Sequence, residues 1–341
     1  MLNNEDFSYF SSYLIGKAAE NRGIQVKKIF KQGELSKDDA LHLDYKGHQE
    51  FIIYQVTSKN SSIAQRIQKN KALTKYILQK AGIKVAKGNI FDYTEKDKII
   101  KYCNEIKYPV VLKPLAGKHG TKVFIGIDSD QKLEQALQQF GGKYRTVMVE
   151  KEFYGKEYRI FATNEKFVAA TYRVPANVQG DGIHTIKELI QLKNKDPRRG
   201  SGHKKSLVKI KIDKQLVDFL NSQKKKLTTI PKKDDIVYLR KTSNLSTGGD
   251  SYDVTDLVHP EVKKLMVKIV QSIPGLAYSG IDYMTKDISS PPTERNYIIV
   301  ELNGSPMISM HHIPYNGKER DVAGAIIDQL YPETVKEKNS K

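Results

Sequence analysis

The chain has 341 residues, 39% apolar and 28% charged, enough to bury a sizeable core and too apolar for a disordered chain. No run approaches the roughly 18 apolar residues of a membrane-spanning helix, and residues 1–6 lack the basic and apolar regions of a signal peptide. The single cysteine, Cys103, excludes an intramolecular disulfide framework or a cysteine-based zinc cluster, and the expected compartment is the cytoplasm. The net charge is +18, and +11 of it falls between Lys187 and Lys241, with 17 basic and 6 acidic residues. That stretch has no interleaved stacking aromatics and no zinc-finger or helix-turn-helix spacing, which disfavours nucleic acid as the partner.

In chain order, helical periodicity over 7–21 stops at Gly23, residues 24–30 alternate as a strand, and 41–45 and 51–54 give two more short strands. The pattern predicts a helix over 62–81, with an apolar stripe at Ile63, Ile67, Leu73, Ile77 and Leu78 and Gly82 as its C-cap. A second unit starts near Ile83. It holds a strand at 110–112, a glycine-containing turn at 116–122, a strand at 123–127, a helix over 130–140, and strands at 146–150, 157–162 and 167–174. A third starts near Pro175. It contains the basic stretch, a helix over 261–271, strands at 277–284 and 296–303, and a last helix over 322–330. The charged tail after Glu333 is expected to fray.

Three groups of residues could do chemistry. Glu301 and Asn303 are two apart on one strand and share a face, and Asp282 lies on the other strand of the C-terminal pair. They form an all-oxygen cluster suited to a hard divalent cation or, with equal weight, a strand end hydrogen-bonded into the turn at Gly304. Lys113 closes an apolar strand before a two-glycine loop, where it could neutralise phosphate, although a solvated lysine before a turn is the commoner case. Lys71 is weaker alone. The loop 244–249, preceded by Arg240, is either an anion-binding backbone nest, with Arg240 able to hold a carboxylate or acyl phosphate, or a plain surface loop. His311 and His312 are adjacent and diverge, so no histidine is assigned a metal, and Cys103 reads as core.

These pieces occur in the order used by ATP-grasp carboxylate–amine ligases. Residues 173–186, beginning Arg173-Val174-Pro175-Ala176-Asn177-Val178, resemble a segment of two relatives. One is the glutathione synthetase half of the bacterial bifunctional γ-glutamylcysteine synthetase/glutathione synthetase; the other is cyanophycin synthetase. Residues 193–200, 238–240, 244–249, 253–256, 301–306 and 314–318 continue the match, which covers about residues 60 to 332.

The resemblance implies an α/β (α+β) ATP-grasp fold: an N-terminal α/β region over 1–82, a small lobe over 83–154, a large lobe over 155–332, and a flexible tail over 333–341. It implies that Lys71 and Lys113 contact ATP phosphates and that the turn with Gly117 and Gly120 covers them. Glu150, Lys151 and Phe153 would lie beside adenine, and Glu157 would hold the ribose. Asp282, Glu301 and Asn303 would ligate two Mg²⁺ ions, with Mn²⁺ as a substitute and Glu301 bridging. Arg240, Asn244, Gly248 and Gly249 would face an acyl phosphate, and Arg173 the same anion or a substrate carboxylate. Lys122 stands where the family keeps a glycine and would be a third phosphate-screening lysine. The segment 195–205 would be a mobile lid. The implied reaction joins a carboxylate to an amine with release of ADP and phosphate. Its partners would be small-molecule or peptide carboxylates and amines, with no membrane, and a homodimer is compatible. A glutathione-synthetase-like choice, a γ-glutamyl peptide plus a small amino acid, stands ahead of a cyanophycin-like or peptide-tailoring one. A non-catalytic nucleotide- or nucleic-acid-binding protein stands third.

Overall fold

The computed structural model describes residues 2–30, 38–115 and 122–335. Helix α1 (Phe10–Glu20) precedes an antiparallel sheet of β1 (Gln25–Lys28), β2 (Ala40–Tyr45) and β3 (His48–Ile53). Two short helices follow, α2 (Ser62–Lys69) and α3 (Lys71–Lys80), in place of the single helix expected over 62–81. Asn70 makes the break. It is extended, its N–H closes α2 on the Arg66 and Ile67 carbonyls, and its side chain accepts from Leu73 N at 3.1 Å to open α3. The apolar period hides this because Ile67 and Leu78 still enter one core; Ile63 and Leu73, expected on the same stripe, are exposed.

The next unit contains β4 (Gly88–Asp92), α4 (Lys96–Ile106), β5 (Val110–Pro114), β6 (Phe124–Ile127), α5 (Asp130–Leu137) and β7 (Thr146–Lys151). Its antiparallel sheet has the order β4-β7-β5-β6, and its core joins α4 and α5 to the strands through Ile99, Cys103, Leu112, Leu133 and Val147. Cys103 is core, as its helical pattern implied.

Strands β8 (Lys156–Thr163) and β9 (Phe167–Val174) begin the last unit. The basic stretch then folds as β10 (Asn177–Gln179), α6 (Ile186–Lys193), β11 (Arg199–Gly200), β12 (Leu207–Val208), α7 (Lys214–Ser222) and β13 (Ile236–Tyr238). It has its own core of Val178, Ile186, Ile190, Leu216, Leu220 and Val237, so the lysines clothe a packed element. The chain continues through β14 (Asp250–Asp253), α8 (Pro260–Ser272), β15 (Tyr278–Thr285), β16 (Tyr297–Asn303), α9 (Ser309–His312) and α10 (Val322–Leu330).

A five-stranded antiparallel sheet, β14-β9-β8-β15-β16, organises this unit. Residues of α2, α3 and α8 share a core with it through Ile67, Leu78, Ile160, Met266, Ile281 and Ile299. A second core brings Ile15 of α1 and Ile326 of α10 onto Phe161 and Tyr278. Among the described residues no helix is long and apolar enough to cross a membrane.

Candidate active site

A charged row crosses the five-stranded sheet. Thr171 of β9 pairs with Arg159 of β8, Arg159 with Asp282 of β15, and Asp282 with Glu301 of β16. Gly280 pairs with Asn303. Just past Glu301 the register slips, because Tyr283 pairs with Ile299 and Val300 is extra; such bulges re-aim side chains beside functional sites. Arg159 Nε donates to Asp282 Oδ1 at 2.5 Å, and Arg173 Nη2 to Oδ2 at 3.1 Å. Arg173 also pairs with Glu157, whose other oxygen accepts from Ser243 Oγ. Burial works against the Asp282 charge, but the Arg159 and Arg173 guanidiniums outweigh it and hold the carboxyl below its usual range.

Helix α3 links this row to the smaller sheet. Lys71, in its first turn, places Nζ 3.7 Å from Glu301 Oε2. Lys75, one turn on, donates to the Ala86 carbonyl at 3.1 Å and forms an ion pair with Glu150 of β7. Lys113 of β5 lies 2.6 Å from the other Glu150 oxygen, with both side chains buried. Burial pushes the Lys113 amine down to about 8; the Lys71 ammonium adds to this, and the Glu301 and Asp282 carboxylates oppose it. The Lys75 amine is pushed down to about 6 by burial and by the Lys113 and Lys71 ammoniums. Its contact with the Glu150 carboxylate acts the other way and favours the ionic pair. Lys71, Lys113, Glu150, Glu157, Arg173, Asp282, Glu301 and Asn303 thus belong to one set that α3 connects from the smaller sheet to the larger.

Other candidates are placed differently. Lys151 points away from Glu150, with Nζ donating to the Lys107 and Tyr108 carbonyls at 2.9 Å. Phe153 is half-buried on the segment joining β7 to β8. Arg240 is buried and held bidentately by Asp213, at 2.8 and 2.7 Å. Asn244 caps the turn Leu245–Thr247. Gly248 has φ +97°, and a Cβ there would meet Ile210 at 2.6 Å; one at Gly249 would meet the Val174 carbonyl oxygen at 2.7 Å. Close packing therefore accounts for both glycines. Gly117 and Gly120 lie outside the described residues. Lys122 has φ +55°, a backbone conformation that glycine adopts without steric cost. Its amine bonds the Gln139 carbonyl and lies 5.0 Å from the Tyr144 ring centre, so the expected phosphate-screening direction is not the one seen.

The segment 195–205 is docked, contrary to the expected mobile loop. Arg199 is fully buried on Asp250, which also takes Lys193 at 2.5 Å. The His203 carbonyl accepts from Phe10 N at 2.8 Å, and its ring stacks on Tyr9. His311 is buried against Thr171 Oγ1 at 2.8 Å, and burial pushes its ring down to about 3. His312 Nε2 accepts from Ala323 N at 2.8 Å.

Sequence reasoning missed Lys75, Arg159 and Ser243. The first two carried a signal, since Lys75 follows Lys71 by four on a helix and Arg159 follows Glu157 by two on a strand. Ser243 carried none.

Residues 68–181 match the RimK-like ATP-grasp domain. Over 301 residues the chain is 40% identical to the cyanophycin synthetase of Crocosphaera subtropica, covering 87% of this chain and 34% of that protein. Over 302 residues it is 37% identical to the glutathione biosynthesis bifunctional protein of Pasteurella multocida, covering 87% of this chain and 40% of that protein. The crystal structure of a bifunctional glutathione synthetase from Pasteurella multocida matches with TM-score 0.73 and 33% identity, over 97% of this chain and 44% of that one. The chain thus spans 34% to 40% of the length of these curated relatives.

Proposed function

Because this chain carries a RimK-like ATP-grasp domain, we propose that it is an ATP-dependent carboxylate–amine ligase. The observation that carries the reading is the convergence of Lys71, Lys75 and Lys113 on Glu150 and Glu301, beside the Arg159–Asp282–Arg173 set. Lys71 and Lys113 contact the phosphates of ATP, and Glu157, on the strand after the segment carrying Phe153, holds the ribose.

Asp282, Glu301 and Asn303 fit a hard divalent cation. Their donors are two carboxylates and a carboxamide, Glu301 is a third exposed, and the Asn303 amide nitrogen turns to the Gly280 carbonyl. They would hold two Mg²⁺ ions, which supply charge screening for phosphoryl transfer when bound. Arg173 orients the carboxylate undergoing activation. Amide formation then follows attack of an amine on the acyl phosphate, and the basic excess serves anionic nucleotide and carboxylate substrates.

For the substrate we favour a γ-glutamyl peptide joined to a small amino acid, in the manner of glutathione synthesis. A cyanophycin-like or peptide-tailoring choice is the second reading, favoured by the 40% identity to cyanophycin synthetase. The test is a phosphate-release screen with ATP, Mg²⁺ and carboxylates crossed with amines. ADP and phosphate are the expected products, and stoichiometric AMP with pyrophosphate overturns the mechanism.

A further inference from the structure

Two lysine side chains share one buried carboxylate: Lys113 and Lys75 each approach a different oxygen of Glu150. We propose that Lys75 is a positioning residue that frees Lys113 for nucleotide by remaining behind as the counter-ion of Glu150. The inference rests on the ligase reading for the role of Lys113 and extends it to a residue outside the phosphate contacts.

The geometry separates the two lysines. Lys75 sits on α3 and is fixed from a second side, its Nζ donating to the Ala86 carbonyl at 3.1 Å. Lys113 stands near the end of β5, and Glu150 is its ion-pair partner. The other charges acting on Lys113 are those of Lys71 on α3, Glu301 on β16 and Asp282 on β15. Lys113 is therefore placed to turn toward a polyphosphate lying between the sheets, while Lys75 is tied on the Glu150 side.

Turning has a consequence for Glu150. A buried carboxylate that loses its only cation is strongly disfavoured, because removing one partner leaves an uncompensated charge. If Lys113 were that only cation, leaving for phosphate would carry the full penalty and Glu150 would hold it back. With Lys75 in place the carboxylate keeps an ion-pair partner, and Lys113 exchanges one anion for another. Neither lysine alone achieves this; the arrangement needs a mobile cation, a fixed cation and one shared acceptor.

The test is ATP binding measured by calorimetry with Mg²⁺, with no acyl acceptor needed, on full-length protein checked by thermal melt. Lys75→Met should raise the ATP dissociation constant by at least roughly tenfold. Lys75→Arg should stay within about threefold of wild type, since it keeps the cation. The double variant Lys75→Met/Glu150→Gln should bind ATP better than Lys75→Met alone, because the group that captures Lys113 has lost its charge. A merely structural Lys75 gives no such rescue, since the second substitution would then add to the loss. Wild-type binding with unchanged affinity in Lys75→Met overturns this inference alone. Absence of ATP binding in the wild type overturns it together with the ligase reading.

Discussion

Glu301 stands directly opposite Asp282 across β15 and β16, yet the two carboxylates have different work to do. Asp282 is buried with a guanidinium on each oxygen, whereas Glu301 is a third exposed and, among the described residues, has the Lys71 ammonium at 3.7 Å as its ion-pair partner. Asp282 thus carries two guanidinium pairs of the fold in addition to its proposed place at the cation, whereas Glu301 carries no buried pair among the described residues.

Glu301→Ala should therefore lose activity without losing the fold. We expect turnover to fall at least roughly 10²-fold, the scale of removing one electrostatic group from a site of charge development. Urea denaturation should change by no more than about 0.5 kcal/mol, as for a substitution outside the core. Asp282→Asn should behave otherwise and lose about 3–5 kcal/mol of stability, because Arg159 is left buried without its anion and Arg173 keeps only Glu157. Phosphate release at saturating Mg²⁺ and urea midpoints separate the two variants.

Lys113 gives the protein a pH signature. Burial lowers its amine from 10.5 to about 8, and contact with polyphosphate favours the charged form. Nucleotide affinity should hold near pH 7 and fall as pH rises through about 8, with proton uptake on binding. The contribution of this group to ligand-free stability has the opposite sign. Between about 8 and 10.5 the unfolded chain keeps a proton that folded Lys113 has shed, so that contribution grows with pH in this window. Calorimetry in buffers of different ionisation enthalpy reads the uptake. Affinity independent of pH from 7 to 9 would remove Lys113 from the phosphate contacts.

What is legible in the sequence follows from the range of each signal. The Glu301/Asn303 spacing and the neighbouring Asp282 strand are short-range patterns, and their register came out as the alternation implied. The Asn70 break was invisible because an N-cap asparagine interrupts the backbone without interrupting the apolar stripe. The partners of Arg240 and Arg199 were invisible for another reason. Asp213 and Asp250 lie 27 and 51 residues away, so no local pattern separates an arginine that meets substrate from one that meets an aspartate.

Arg199 and Asp250 should matter through stability first. Asp250 is fully buried and receives Arg199, Lys193 and the Asn177 amide. Arg199→Met leaves a carboxylate with one cation fewer in a dry setting, and we expect a loss of about 3–5 kcal/mol. Expression yield and urea midpoint should fall together, with ATP affinity retained in whatever fraction folds. A stable Arg199→Met protein that binds ATP normally but cannot turn over would instead place Arg199 at the substrate.

Trypsin distinguishes a docked segment from a mobile lid. Arg199 is buried, Arg198 donates to the Pro314 and Tyr315 carbonyls at 3.0 Å, and Lys205 donates to the Pro197 carbonyl at 2.7 Å. A protease needs an extended, accessible stretch of backbone, and this one is held by side-chain and main-chain bonds to three other segments. Lys195, Lys204 and Lys205 are exposed, as are Lys224 and Lys226 in the turn after α7, so it is the bonds holding 195–205, not side-chain exposure, that separate the two stretches. Cleavage of the ligand-free protein should therefore begin near 224–226 and spare 195–205, and adding ATP, Mg²⁺ and a carboxylate should not alter that order. First cleavage within 195–205, suppressed by nucleotide and carboxylate together, would show that the segment opens in solution and closes over substrate, and the docked arrangement would then be its closed state.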